Sequence, residues 1–181
     1  MSYLKLHFKS FIIGSIWAIL FIANANSILA SATEKKDEKL FGDWKVVCSK
    51  SKDGKKNKCV AEQGLTTKKD DKDVLVASYR LEMNDKREMK LIEILPLGAY
   101  LESGTAIVAD GRMVSPGKFI SCLGDGCIAL AEMTEGDLEI LLSSKNTAIG
   151  VLSSEGAQNN LPFSTNGLRL AIAELRSSIQ E

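Results

Sequence analysis

Four cysteines are the residues of this chain best suited to covalent chemistry: Cys48, Cys59, Cys122 and Cys127. An even number of cysteines predicts disulfides in an oxidising compartment, and four cysteines allow three pairings. The first two flank a lysine-rich turn, and the last two enclose only Leu-Gly-Asp-Gly. We therefore predict local pairing, Cys48 with Cys59 and Cys122 with Cys127. A four-thiolate zinc site or a catalytic thiol pair is the rival interpretation, but neither pair has the C-x-x-C spacing.

Two serine–lysine pairs, Ser115 with Lys118 and Ser49 with Lys52, match the S-x-x-K pattern of some nucleophilic serine enzymes. One pair lies in a Pro-Gly turn and the other in a polar loop, not at the start of a helix. The one histidine, His7, lies in a segment that we expect to be removed, which excludes Ser-His-Asp and Cys-His catalysis and most catalytic zinc sites. We predict no catalytic residues, no metal site and no cofactor, and hence no enzyme.

Lysines are concentrated between the first two cysteines, and residues 33–90 hold 16 basic and 12 acidic side chains against 5 and 11 in residues 91–181. The cluster consists of Lys50, Lys52, Lys55, Lys56 and Lys58. It is a candidate contact for an anionic surface or lipid. The alternative is a lysine-rich turn that keeps a hairpin soluble. Nucleic acid is a poor partner, because no aromatic side chain lies among the lysines to stack on bases.

The first 32 residues have the parts of a secretory signal peptide. Lys5 and Lys9 precede an apolar run over residues 11–23, and Ala30-Ser31-Ala32 has small residues at the positions that a signal peptidase requires. We predict cleavage after Ala32, with Ala25 as the second choice. The run is too short for a membrane-spanning helix. The predicted divisions are a signal peptide (1–32), a flexible leader (33–40) and one domain (41–181).

Short strands separated by Gly and Asp turns fill most of this domain. Alternation of apolar and polar residues predicts strands at 43–49, 59–63, 74–83, 90–95, 100–102, 105–109, 118–122, 127–133, 138–142 and 148–152. A polar loop is expected at 66–73. Leu168, Ala171, Ile172 and Leu175 have helical spacing and predict one helix, over residues 166–178. The fold class is therefore mainly β, an antiparallel sandwich or barrel-like domain closed by a C-terminal α-helix.

A series of short motifs spans this domain from Phe41 to Leu175. In chain order they are Phe41-Gly42-Asp43-Trp44, Cys48, Cys59, Leu95-Pro96-Leu97-Gly98, Asp110-Gly111, Phe119-x-x-Cys122, Gly126-Cys127-x-Ala129, Phe163-Ser164 and Gly167-Leu168 with Ala171. Their order and spacing resemble the invasion-associated locus B family of bacterial exported proteins. One departure is Leu168, where the family usually has phenylalanine.

The resemblance implies an exported β-rich envelope protein of Gram-negative bacteria, with structural disulfides and, in pathogens, a link to host-cell invasion. It supplies no catalytic residues. We expect a non-enzymatic protein that contacts an envelope or host protein, located in the periplasm, with outer-membrane association or secretion as the alternatives. The alternatives are a periplasmic carrier of a small ligand or lipid and an envelope-integrity factor. Trp44 is expected to pack in the core beside the first disulfide rather than to bind a ligand.

Overall fold

The computed structural model describes residues 37–50 and 57–178. The expected signal peptide, residues 33–36 of the expected leader and residues 51–56 of the lysine-rich turn lie outside them. The strands in this part of the chain are β1 (Asp37–Phe41), β2 (Trp44–Lys50), β3 (Asn57–Lys69), β4 (Lys72–Met83), β5 (Met89–Leu95), β6 (Thr105–Ala109), β7 (Arg112–Leu123), β8 (Gly126–Met133), β9 (Thr147–Leu152) and β10 (Gln158–Phe163). The helices are α1 (Glu135–Ser143) and α2 (Leu168–Ser178), and a 3-10 helix spans Leu101–Ser103.

All these strands belong to one antiparallel sheet, in the order β1-β2-β3-β4-β5-β8-β7-β6-β9-β10. The first five strands form a simple meander. The chain then crosses to the far side of the sheet, and β8 returns to pair with β5. β1 and β10 are the two edges, so the sheet is open. The predicted mainly β, antiparallel fold with a C-terminal helix is confirmed.

One face of the sheet forms the core, because alternate residues of each strand point to the same side. In β5 these are Met89, Leu91, Glu93 and Leu95, all buried. α2 covers the part of this face formed by β2, β3 and β4. Its buried residues are those that the helical spacing predicted, Leu168, Ala171, Ile172 and Leu175.

The last strand lies close to the first part of the sheet without joining its hydrogen-bond ladder. The Tyr79 hydroxyl on β4 donates to the carbonyl of Leu161 at 3.0 Å, and the Trp44 indole Nε1 donates to the carbonyl of Ser164 at 2.7 Å. The rings of Tyr79 and Phe163 lie 5.5 Å apart. These contacts connect β2 and β4 with β10 and with the segment that leads into α2.

The turn between β1 and β2 touches the start of α2. Gly167 has φ +83°, and a Cβ at this position would collide with the carbonyl of Phe41. The amide of Asp43 donates to the carbonyl of Asn166 at 3.1 Å. The Phe-Gly-Asp-Trp motif and Gly167 thus form one contact, for which glycine is required by both its conformation and the close backbone approach.

The flexible leader expected at residues 33–40 is wrong over residues 37–40, which belong to β1. Asp37 pairs with Cys48, and Phe41 pairs with Trp44. The Lys39 ammonium lies 2.6 Å from a carboxylate oxygen of Glu174 on α2. The high charge of this segment suggested a solvated coil, but an edge strand remains exposed while its backbone pairs on one side.

The strand predicted at residues 138–142 is wrong, because this segment is the helix α1. Thr134 and Asp137 form a capping box in which Thr134 Oγ1 accepts from the Asp137 amide at 3.1 Å, and the Asp137 carboxylate accepts from the Thr134 amide at 2.8 Å. Leu138 and Leu141 are buried, three residues apart. The apolar residues at 138 and 140–142 suggested a strand and obscured a helix start that Thr134 and Asp137 encode.

Three smaller differences concern turns and a strand that the sequence pattern did not predict. The polar loop expected at 66–73 is wrong for most of its length, because residues 66–69 end β3, residues 72–73 begin β4, and only Asp70 and Asp71, with φ +50° and +59°, form the turn. The predicted strand at 100–102 is largely the 3-10 helix. β10 was not predicted, because Gln158, Asn159 and Asn160 are poor strand formers and Pro162 is confined to edge strands.

Candidate functional site

Both disulfides join residues that face each other directly across a hairpin. Cys48 on β2 is opposite Cys59 on β3, with their Sγ atoms 2.03 Å apart. Cys122 on β7 is opposite Cys127 on β8, with an Sγ–Sγ distance of 2.01 Å. These are the predicted pairs. We call the β2–β3 hairpin the first hairpin and the β7–β8 hairpin the second hairpin.

The two hairpins place their disulfides at opposite ends of β5. Val60, which follows Cys59, pairs with Glu82, and Glu82 pairs with Lys90 near the start of β5. Leu95, at the end of β5, pairs with Cys127. The sheet therefore has one disulfide-closed hairpin at each of two separate ends, and the surroundings of the two hairpins differ.

The first hairpin carries the lysine cluster. The side chains of Lys50, Lys52, Lys55 and Lys56 lie outside the described part of the structure, whereas Lys58 is described. Its ammonium lies 3.7 Å from a Glu82 carboxylate oxygen, and its side chain is 69% exposed. Lys58 thus forms an ion pair with Glu82, and its side chain remains accessible to solvent.

The outer face of the sheet beside this hairpin is a network of opposite charges. The Lys45 ammonium lies 3.0 Å from Glu62, the Arg80 guanidinium 3.4 Å from the same carboxylate, and Lys90 pairs with Glu132 at 3.8 Å. The hydrogen bond to Glu62, supported by its charge, raises the pKa of Lys45. Positive and negative side chains alternate from one strand to the next, so the charges on this face largely cancel. A net attraction for anions has to come from the lysine-rich turn.

The second hairpin lies at an end of the sheet that exposes large apolar side chains, which the sequence pattern did not identify. A shift in strand register between Phe119 and Ser121 leaves Ile120 62% exposed, and Leu123 is 59% exposed. The loop after β5 adds three more such residues. We call the whole set the apolar end; its members are Leu97, Tyr100, Leu101, Ile120 and Leu123.

Backbone contacts hold the parts of the apolar end together. Leu97 follows Leu95, which pairs with Cys127 of the second hairpin. The 3-10 helix that contains Leu101 packs against β7. The Tyr100 amide donates to the carbonyl of Leu152 at 2.8 Å, which fixes the loop to β9. The exposed side chains are therefore carried by segments with fixed backbone partners.

Several recesses open on the described surface, and two of them lie beside β10 and between the two helices. A groove of about 690 Å³ is lined by residues of β6, β7, β9 and β10, including Val108, Met113 and Asn160. A second groove of about 370 Å³ separates α1 from α2 between Leu138 and Ile172. The ion pairs Arg169–Glu139 and Arg176–Glu135 connect the two helices across it. Both recesses are open grooves on the surface and are not pockets within the core.

The structure separates the serine and lysine of one candidate nucleophilic pair. Ser115 is buried and its hydroxyl donates to the carbonyl of Glu132 at 2.9 Å, whereas Lys118 is exposed. Residues three apart on a strand point to opposite faces, so the lysine cannot reach the serine. In the other pair, Lys52 lies outside the described residues. Within the described ranges no group of three or more His, Cys, Asp or Glu residues could hold a metal ion.

Trp44 is part of the core, as predicted. Its side chain is 1% exposed and belongs to the same buried cluster as Cys59 and Tyr79. The indole N–H is satisfied by the Ser164 carbonyl. None of the helices in the described ranges is long and apolar enough to cross a membrane.

The chain is similar to known proteins in both sequence and fold. Residues 44–176 match the family described as invasion associated locus B (IalB) protein. The crystal structure of invasion associated protein B from Bartonella henselae is similar, with a TM-score of 0.69 and 16% sequence identity over 78% of this chain and 95% of that one. No curated protein sequence matches the chain. Since the family match covers most of the chain, the protein belongs to the invasion associated locus B family of exported bacterial proteins.

Proposed function

We propose that this protein is a non-enzymatic envelope protein that supports host interaction by binding another protein through its apolar end. The observation that carries the proposal is the exposure of Ile120 and Leu123 on the second hairpin and of Leu97 and Leu101 in the loop after β5, all between 48% and 62% exposed. Single exposed apolar residues are ordinary on protein surfaces. Several at one end of a sheet are typical of a contact site for another protein.

The backbone around the apolar end favours binding without a large ordering cost. The Cys122–Cys127 bond closes the hairpin that carries Leu123, and the part of β7 that carries Ile120 and Leu123 is hydrogen-bonded to β8. A surface that is ordered before binding loses less conformational entropy when a partner docks. The partner is an envelope or host protein with a complementary apolar surface.

The compartment in this proposal is the periplasm, with outer-membrane association or secretion as further steps. Membership in an exported family and the two disulfides support it, because such bonds persist in oxidising compartments. The proposal includes removal of residues 1–32 by cleavage after Ala32.

The lysine cluster is proposed as a separate, weaker contact for an anionic surface or lipid. Lys58 is exposed, and the paired charges on the adjacent sheet face leave the turn as the source of net positive charge. A carrier of small apolar ligands is less well supported. Its binding site would be an enclosed apolar cavity, whereas the recesses described above are open and partly lined by Lys145, Asn146 and Arg169.

Cross-linking in the bacterial cell, followed by identification of the captured protein, tests the proposal. The test variant is Ile120→Ser with Leu123→Ser. The control is Leu75→Ser with Leu170→Ser, which removes side chains of equal exposure, 61% and 59%, elsewhere on the protein. We expect the control to retain the cross-linked partner and the test variant to lose most of it at unchanged thermal stability. Equal capture by both variants would exclude the apolar end as the contact site.

A further inference from the structure

Glu93 is a carboxylic acid in the middle of the apolar core. It lies on β5 between Leu91 and Leu95 on the inward face, and its exposed fraction is 0%. Arg80 and Lys90, the nearby basic residues of the sheet, pair with Glu62 and Glu132 on the outer face. Glu93 therefore has no ionic partner among the described residues. A buried charge without a partner is costly, so this carboxyl is under strong pressure to remain neutral.

The residues around Glu93 carry no charge that could balance it. Tyr79 on β4 and Ala129 on β8 are its direct cross-strand neighbours. A Cβ placed on Gly117 of β7 would lie 3.5 Å from Glu93 Oε1, 3.5 Å from the Ala131 Cβ, and in collision with Thr105 Oγ1 of β6. Among the titratable side chains that the structure describes, Tyr79 alone faces Glu93, and it is neutral at physiological pH. Glycine and alanine on these strands leave room for the carboxyl group.

The polar side-chain atoms at this position have few hydrogen-bond partners. Neither carboxyl oxygen of Glu93 has a well-formed hydrogen bond to a described residue, and neither has Thr105 Oγ1. Burial raises the pKa of Glu93 to about 7, from an ordinary value of 4.5, and the Thr105 hydroxyl partly offsets this rise. The same burial, together with the charge of Glu93, raises the pKa of Tyr79.

We propose that Glu93 is a pH-sensitive element of the core, neutral in mildly acidic surroundings and charged near neutrality, whose ionisation weakens the packing of β5 with β6, β7 and β8. The structure places it where these four strands meet through small residues. Tyr79, its neighbour on β4, also donates to the carbonyls of Leu161 and Pro162 and so connects β4 with β10. Charge at Glu93 thus acts on the contacts that bring the two parts of the sheet together.

The direction of the pH effect follows from proton binding. Between pH 4.5 and pH 7 the folded protein holds a proton on Glu93 that the unfolded chain has lost. The contribution of this group to stability is therefore complete below pH 4.5 and is lost as pH rises through 7. Over the range from pH 5 to pH 7 the folding equilibrium constant should fall by roughly 40-fold on account of Glu93 alone.

Urea unfolding of the mature protein and of Glu93→Gln at pH 5 and pH 7 tests the proposal. Glutamine keeps the shape of the neutral acid and does not titrate. The folding equilibrium constant of the variant, divided by that of the wild type, should therefore rise roughly 40-fold from pH 5 to pH 7. Glu155→Gln, at an exposed position, is the control and should follow the wild type. Parallel pH profiles of wild type and Glu93→Gln would overturn the proposal.

A second measurement does not depend on the folding of a variant. Nuclear magnetic resonance of the side-chain carboxyl carbon of Glu93 in the wild-type protein reports its titration directly. We expect a midpoint near neutral pH. A midpoint near the ordinary value of 4.5 would show that the carboxyl is ionised in the core and would overturn the proposal.

Discussion

The two disulfide-closed hairpins use the same bond in opposite surroundings. In the first hairpin Cys48 and Cys59 are 11 residues apart, beside charged side chains and a lysine-rich turn. In the second, Cys122 and Cys127 are 5 residues apart, beside the exposed Ile120 and Leu123. The two hairpins therefore differ in what they present to the solvent, charged side chains in the first and apolar side chains in the second.

We therefore assign different roles to the two hairpins. The first one contributes to the core, because β2 carries Trp44 and packs against α2. The second holds the apolar end that we propose as the contact surface. If the assignment is correct, changes to Trp44 and to the disulfide of the first hairpin should mainly lower stability, and changes around the second hairpin should mainly lower partner binding.

The largest stability loss is expected for Trp44→Ala. The substitution removes a side chain that is 1% exposed and deletes the hydrogen bond from its indole to the Ser164 carbonyl. A loss of about 3–5 kcal/mol in the free energy of unfolding is expected. Urea unfolding measures it, with Leu40→Ala, at a position 77% exposed, as the control. A loss equal to that of the control would show that the first hairpin is not anchored by this residue.

Removal of the first disulfide by Cys48→Ser with Cys59→Ser should have the next largest effect. Opening an 11-residue separation gives the unfolded chain more freedom and lowers stability by about 3 kcal/mol. Peptide mapping without reduction should first find these two cysteines linked in the wild type. A linkage of Cys48 to Cys122 or Cys127 would contradict the pairing.

Removal of the second disulfide by Cys122→Ser with Cys127→Ser should cost less, about 2 kcal/mol, because its loop is shorter. Its effect on partner capture should nevertheless be greater than that of the first pair, since it closes the hairpin that carries Leu123. Cross-linking in the cell compares the two variants directly. Greater loss of capture on removal of the first disulfide would reverse the assigned roles.

The smallest stability effect is expected for Lys55→Ser, Lys56→Ser and Lys58→Ser combined. Exposed ion pairs such as Lys58–Glu82 contribute little, so the melting temperature should be unchanged. Binding to vesicles that contain anionic lipid should weaken, and the wild-type binding should fall with added salt. Unchanged vesicle binding by the variant would leave the cluster with a solubility role alone.

The sequence predicted most of the fold because its strands alternate regularly and its cysteines pair locally. β5 shows the signal well, and its alternation even places Glu93 on the inward face with Met89, Leu91 and Leu95. α1 was missed although Thr134 and Asp137 specify its start. The run at 138–142 contains three leucines and an isoleucine, and so many apolar residues in five positions fit the period of a strand as well as that of a helix. The spacing of apolar residues predicts the correct element where it fits only a strand or only a helix. It fails where an apolar run fits both.

The apolar end could not be predicted from the sequence in the same way. Ile120 is exposed at a register shift within β7, and the end of β5 comes to the same side of the sheet as the second hairpin because β8 pairs with both β5 and β7. Both facts depend on pairing between segments that are distant in the chain. A surface assembled by such pairing has no signature within any single segment.

The order of the strands has a consequence for how the domain folds. β1 to β5 pair with their neighbours in sequence and need only short loop closures, so this meander can form early. The other edge of β5 stays unpaired until β8 arrives from residues 126–133, more than thirty residues later. During that interval an apolar strand edge is open to pairing with other chains. The time that β8 takes to dock therefore sets how long this edge is open to aggregation.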